Sequence, residues 1–273
     1  MLRKLMSQYL SAFFLVAGFS AAQTASQSLN VLNEAGWRQI ESRGNYLNTQ
    51  LTMLAIRNQP SLLDDKQVMQ CFMKINTAFT PSYLIVNRNL TNELEYPGMA
   101  SFYKSKAEDA LKVVPGTFSI GVLYANLSVA GRPPAPATIM LGEYDQAKKT
   151  FPFVDVTGHK TTLTFDNMTP STGGTCGSFL AFMVRFKGLS FSELPMDEAA
   201  ARAYLSMPLV GAAGSGRQVS LAFEIEVLPD APQISNSRSA SQRLIVLNGK
   251  VKKVTAVYHN ATSGDRTIGT VYQ

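Results

Sequence analysis

Two alternating apolar runs, one at each end of the stretch from Phe179 to Leu228, constrain the fold more than any other feature of this chain. In RQVSLAFEIEVL, Val219, Leu221, Phe223, Ile225 and Val227 alternate with Gln218, Ser220, Ala222, Glu224 and Glu226. A period of two is the mark of a strand with one face in a core, and this strand is expected near the middle of the fold. In FLAFMVRFK, Leu180, Phe182, Val184 and Phe186 share a face in the same way. Between them PMDEAAARAYLSM predicts a short helix over about 196–206. Asp197 or its neighbour is placed to cap its free N–H groups, Glu198 sits in the positive first turn, and the alanines cost little entropy.

From Thr117 onward the period stays at two. FSIGVLY, ATIMLGEY, FPFVDV and KTTLTFD read as strands, with GRPPAPA as an extended loop. In LIVLNGKVKKVTAVYH, Asn248 and Gly249 separate two strand runs, and both tolerate the positive φ of a two-residue hairpin turn. TIGTVY is expected to pair back as a last strand. The polar segment APQISNSRSASQR reads as a mobile loop before these hairpins.

The preceding third is helical in pattern. Leu29, Leu32, Trp37, Ile40, Leu47, Leu51, Leu54 and Ile56 recur at threes and fours, with Gly44 a break and Trp37 a core residue. Pro60 starts a new element in which Ser61 precedes LLDDKQVMQCFMKI, with Val68, Cys71, Phe72 and Ile75 on one face. A further helix over about Met99–Val114 carries Phe102, Ala107 and Leu111 on one stripe and is ended by Pro115 and Gly116. Together these predict an α+β protein of 273 residues, its helical N-terminal region packed on a mainly antiparallel sheet or sandwich of about eight strands. The organisation expected is a signal peptide over 1–22, a helical region over 23–115, and a β-rich domain over 116–273 with one inserted helix.

The signal peptide rests on Arg3 and Lys4, the apolar run LSAFFLVAGFSAA, and the small residues Ser20 and Ala22, which place cleavage between Ala22 and Gln23. No other segment has the length and apolarity of a membrane span, so the mature chain is expected to be periplasmic or secreted. Removing Arg3 and Lys4 lowers the formal charge from +6 to about +4. Acids are interspersed among the remaining bases, which argues against a nucleic-acid partner. An exported chain with two cysteines, Cys71 and Cys176, invites a disulfide. That bridge would close a loop of about 100 residues and contribute at most about 4 to 5 kcal/mol.

Chemistry is sparse. His159 and His259 lie beside turn residues with no metal partner at i+4, and the chain has neither GxSxG nor GxxxxGKS. GGTCGSFLAF has the look of a papain-type run, but alignment puts Cys176 on the structural cysteine and Phe179 on the nucleophile, and a phenylalanine cannot attack. No metal, cofactor or catalytic residue is therefore assigned. Carboxylates pair as Asp64/Asp65, Glu93/Glu95, Glu143/Asp145 and Glu224/Glu226, the last pair on a water-facing strand surface. Lys250, Lys252 and Lys253 form the most basic cluster, read first as edge protection for a hairpin; with Tyr144 they are the candidates for an interaction patch.

LGEYDQAKKTFPF stands apart: Glu143, Tyr144 and Asp145 close one strand, Phe151 and Phe153 open the next, and the polar span between them is a surface loop. With NELEYP, DALKVVPGTF and the LPMDEAAARAYL helix, this run resembles an uncharacterised family of exported bacterial proteins, a domain of unknown function. The resemblance implies a bacterial envelope compartment, in which the Asn-x-Ser/Thr sites at Asn89, Asn126, Asn167 and Asn260 carry no glycans. It brings no activity, ligand or site residues. The function expected is a non-catalytic binding module whose partner is an envelope protein or glycan. The alternative is a carboxylate-dependent hydrolase of envelope polysaccharide or peptide, which a cleft gathering carboxyls with perturbed pKa values would favour.

Overall fold

The computed structural model describes residues 46–75, 94, 96–122, 124–128, 135–168, 180–207, 217–236, 243–258 and 266–273. The signal peptide with Ala22 and Gln23, Trp37, Cys176, His259 and the glycine runs on either side of Cys176 and before Arg217 lie outside them. The chain is α+β and divides into two compact units, with one boundary between Val114 and Pro115.

The helical unit contains α1 (Tyr46–Asn58), a 3-10 turn (Pro60–Asp64), α2 (Lys66–Ile75) and α3 (Tyr96–Leu111). Helix α1 is buried on every face from Asn48 to Ile56, including Gln50 and Thr52. The Thr52 hydroxyl donates to the Asn48 carbonyl at 2.7 Å, which satisfies it without leaving the helix. The element after Pro60 differs from expectation. Proline fixes the 3-10 turn, and Asp65, not Ser61, begins the helix: its Oδ1 accepts the amides of Gln67 (2.9 Å) and Val68 (3.2 Å). Val68, Cys71 and Phe72 are buried as the spacing predicts. Helix α3 starts three residues earlier than read, with Pro97 in its first turn, and its buried stripe is Met99, Tyr103, Ala107 and Ala110. Phe102 and Leu111 are only half-buried, so the true stripe is rotated from the one inferred. Tyr103 meets Phe72 edge-on at 6.1 Å.

The β unit holds twelve described strands: β1 (Thr117–Val122), β2 (Tyr124–Ser128), β3 (Ala135–Thr138), β4 (Met140–Leu141), β5 (Thr150–Val154), β6 (Thr162–Met168), β7 (Leu180–Phe191), β8 (Glu193–Pro195), β9 (Ser220–Val227), β10 (Gln233–Asn236), β11 (Arg243–Tyr258) and β12 (Arg266–Tyr272). A nine-stranded sheet runs in the order β1-β9-β11-β7-β6-β2-β3, with β10 and β12 also paired to β11, and β4-β5-β8 form a smaller sheet. The predicted inward faces are the observed ones. Leu180, Phe182, Val184 and Phe186 on β7 are all buried, as are Val219, just before β9, and Leu221, Phe223, Ile225 and Val227 along it. Strand β9 is internal, between β1 and β11, but β11 is the hub. Phe223 packs on Phe165 at 4.9 Å and on Phe186 at 6.4 Å, so the two runs that define the chain share one core.

The expected Asn248–Gly249 hairpin does not form. Strand β11 runs unbroken through both residues for 16 residues, and neither has positive φ. Gly249 stands opposite Val227 in the β11–β9 ladder, where an added Cβ would lie 2.8 Å from Val184 Cγ1 and 2.9 Å from Ile225 Cγ2. Glycine is there for close approach, not for a turn. The segment read as a mobile loop is also partly strand: Gln233–Asn236 pair with Arg243–Val246, because a ladder asks only for main-chain groups. TIGTVY does form the last strand, antiparallel to β11.

Helix α4 (Glu198–Leu205) forms as predicted. Asp197 Oδ1 accepts the Ala200 amide at 2.8 Å, and Ala201 and Tyr204 turn inward. Tyr204 meets Phe151 and Tyr258 edge-on at 5.5 and 6.0 Å, joining α4 to the small sheet and to β11. No helix among the described residues is long and apolar enough to cross a membrane.

Candidate functional site

Within the β unit a cleft of about 850 Å³ lies along the small sheet, lined by residues 140–145, 150, 152, 154–158, 160, 193 and 217. Its floor comes from alternation. Met140 pairs with Val154 and Gly142 hydrogen-bonds Pro152, so these residues share one face while Leu141, Phe151 and Phe153 point to the core. Gly142 is required here: a Cβ would stand 2.8 Å from Val154 Cγ1 and 3.1 Å from Pro152 Cγ.

Proline at 152 creates a problem that Arg217 solves. The Gly142 amide donates to the Pro152 carbonyl at 2.8 Å, but Pro152 has no N–H to return the bond. The Arg217 guanidinium donates to the Gly142 carbonyl instead. Its segment is held alongside by the Val219 amide on Ile139 O (3.0 Å) and by the Met140–Gln218 bridge.

Beyond Gly142 the pairing slips by one residue, since Gly142 faces Pro152 while Asp145 faces Thr150. Glu143 and Tyr144 thus lie together opposite Phe151, a bulge of the kind that re-aims side chains. Tyr144 turns inward, its ring 5.0 Å from Phe151 and its hydroxyl donating to the Met196 carbonyl at 3.0 Å. Glu143 is exposed and makes no hydrogen bond or ion pair among the described residues. The polar loop then closes with Lys149 in the left-handed region (φ 56°) and Asp145 Oδ1 accepting the Lys148 amide at 3.1 Å.

The opposite rim is the turn after β5. Asp155 O accepts the Gly158 amide at 2.9 Å, Gly158 takes φ 84°, and the Asp155 amide donates to His159 O at 2.9 Å. This is a β-turn closed by a left-handed glycine, with Asp and Gly where such a turn wants them. Asp155 Oδ1 accepts the Thr157 hydroxyl (2.6 Å) and the amides of Thr157 (2.9 Å) and His159 (3.0 Å). Since the Thr157 hydroxyl gives its proton to Asp155, His159 Nδ1, 2.6 Å from Thr157 Oγ1, is the donor of that contact. The turn holds Val156 out at 71 % exposure.

The cleft gathers four carboxylates, Glu143, Asp145, Asp155 and Glu193, with the cations Lys160 and Arg217. Asp155 titrates below the ordinary aspartate value, chiefly because of the Thr157 hydroxyl and then the backbone amides. Glu193 is also lowered, first by its bond to Lys148 Nζ (2.8 Å) and further by Thr150. Both shifts hold the groups as carboxylates, the wrong direction for a proton donor at neutral pH.

The remaining expected candidates fall elsewhere. Tyr144 is in the cleft, with its ring and hydroxyl committed. Lys250 and Lys253 stand opposite Glu226 and Glu224 across β11–β9, and Lys252, at a register shift, reaches Glu226 Oε2 at 3.3 Å. Because β11 is paired along both its halves, the lysines protect no edge; they face the water-side glutamates of the neighbouring strand. Asp64 pairs with Lys104 at 2.9 Å. Cys71 is fully buried on α2. Sequence reasoning singled out the 141–153 run but missed Pro152 with Gly142, the signal in it that marks a floor. Glu193 and Arg217 reach the site only through the fold.

No family model, curated protein or solved structure matches this chain.

Proposed function

We propose that this is an exported, non-catalytic binding module of the bacterial cell envelope, accessory to secretion or envelope assembly, and that the cleft of its β unit is where it holds a partner. The observation that carries the reading is the electrostatics of that cleft. Asp155 and Glu193 are engaged in hydrogen bonds within the rim and held ionised, which suits a fixed polar surface better than acid–base chemistry. Export is supported by the N-terminal sequence pattern; the likeness to an uncharacterised exported family, carried by LGEYDQAKKTFPF and its companion runs, is part of the same proposal. A bridge between Cys71 and Cys176 belongs to the same proposal; among the described residues no cysteine is free.

The test is recovery of the protein from the envelope of a bacterial host after brief cross-linking. The expected result is a mature chain beginning at Gln23, outside the cytoplasm, with one component at near-stoichiometric yield. A chain retaining residues 1–22 in the cytoplasm, or one recovered alone, overturns the reading.

A further inference from the structure

We propose that the occupant of this cleft is an extended peptide segment of a partner protein, with a small apolar residue on the floor and one basic and one acidic side chain flanking it. The inference rests on the binding-module reading and names its ligand class.

Three observations select a peptide. The floor of Met140, Pro152 and Val154 is apolar and kept flat by Gly142, whose missing Cβ is what lets the chain pass so close to Val154 and Pro152. The charges around it divide into committed and uncommitted sets. Asp145, Asp155, Glu193 and Arg217 are taken by the Lys148 amide, by the Thr157 hydroxyl, by Lys148 Nζ and Thr150, and by the Gly142 carbonyl. Glu143 and Lys160 have exposed side chains with no hydrogen bond or ion pair among the described residues. One free carboxylate and one free ammonium on the same cleft call for a ligand bearing both signs, as a polypeptide does. Finally, the rim is pre-organised: Val156 is held out by a turn whose aspartate makes three hydrogen bonds, so an apolar contact is offered at little ordering cost.

A saccharide fits less well, because sugar rings are gripped on open aromatic faces. Among the described residues the sole aromatic lining the cleft is Tyr144, whose ring lies on Phe151 and whose hydroxyl is given to Met196 O.

The experiment selects from a displayed library of random short peptides on the full mature protein, with a glycan array as the second arm. Selected peptides are expected to carry an apolar residue between a basic and an acidic one. Glu143→Lys and Lys160→Glu alter exposed, unpaired side chains and leave folding intact by circular dichroism. Each is expected to weaken binding at least tenfold, and a peptide with the matching charge reversed is expected to recover it. Peptides that bind both variants as tightly as the parent, a library that yields no binder, or binding confined to glycans overturns the proposal. The two readings fail separately: a stoichiometric envelope partner retained by Glu143→Lys and Lys160→Glu leaves the binding module standing and removes the peptide cleft.

Discussion

Gly249→Ala tests how β11 is built. The new methyl would stand 2.8 Å from Val184 Cγ1 and 2.9 Å from Ile225 Cγ2, about 1 Å inside an ordinary carbon contact. Both neighbours are fully buried, so neither can swing into solvent, and overpacking of this kind costs about 1–3 kcal/mol. Alanine in a left-handed turn would cost a similar amount, roughly 1–2 kcal/mol, so the single variant does not discriminate. The pair with Val184→Ala does. Alone, Val184→Ala loses the transfer energy of two methyls, about 1.5 kcal/mol, plus a cavity term. In the double variant the methyl introduced at position 249 enters the vacated space, and the loss should fall short of the sum by about 1 kcal/mol or more, the coupling usual for residues in contact. Urea unfolding of the mature chain, compared at common m-values, reads this out. Additivity within about 0.5 kcal/mol would refute the close packing of β11 against β7 and β9.

Arg217→Met should destabilise by about 1–2 kcal/mol, because the Gly142 carbonyl loses its donor, and adding Pro152→Ala should recover part of this by restoring a ladder N–H. Asp65→Ala should cost about 1 kcal/mol and Ser61→Ala close to nothing, as judged by thermal unfolding, since Asp65 caps α2. Burial pushes the Tyr204 hydroxyl up to about 12 from 10, and it has no hydrogen-bond partner among the described residues. Between pH 10 and about 12 the unfolded chain therefore releases a proton that the folded chain keeps, and stability falls across that window. Tyr204→Phe should be neutral or stabilising at pH 7 and should abolish that part of the alkaline loss. Alkylation of the exported protein under denaturing, non-reducing conditions should modify neither Cys71 nor Cys176; two modified cysteines would rule out the bridge.

What could be read from the sequence was what a short window encodes. Strands β7 and β9 declared themselves because burial on one face imposes a period of two, and α4 because Asp197 and four alanines act within a turn. Two of the failures share one cause, a local preference overruled by partners distant in sequence. Asn248–Gly249 carries the strongest dipeptide signal for a hairpin, but a pairing register with Val227 and the side chains of Val184 and Ile225 decided what the glycine was for. The α3 stripe read on Phe102, Ala107 and Leu111 is rotated because Tyr103, not Phe102, meets Phe72. In the cleft, residues 143–153 were recognisable as strand, loop and strand. Arg217 became intelligible only once Pro152 was seen to leave a carbonyl without its donor.

Occupancy of the cleft is read by a photo-cross-linking amino acid placed at Val156, on the cleft rim, and in parallel at Lys187, an exposed β7 position outside the cleft lining. In the host envelope the account predicts one covalent adduct from position 156, none from 187, and loss of the 156 adduct on introducing Glu143→Lys. Equal labelling from both positions, or an adduct from 156 indifferent to Glu143→Lys, would contradict it.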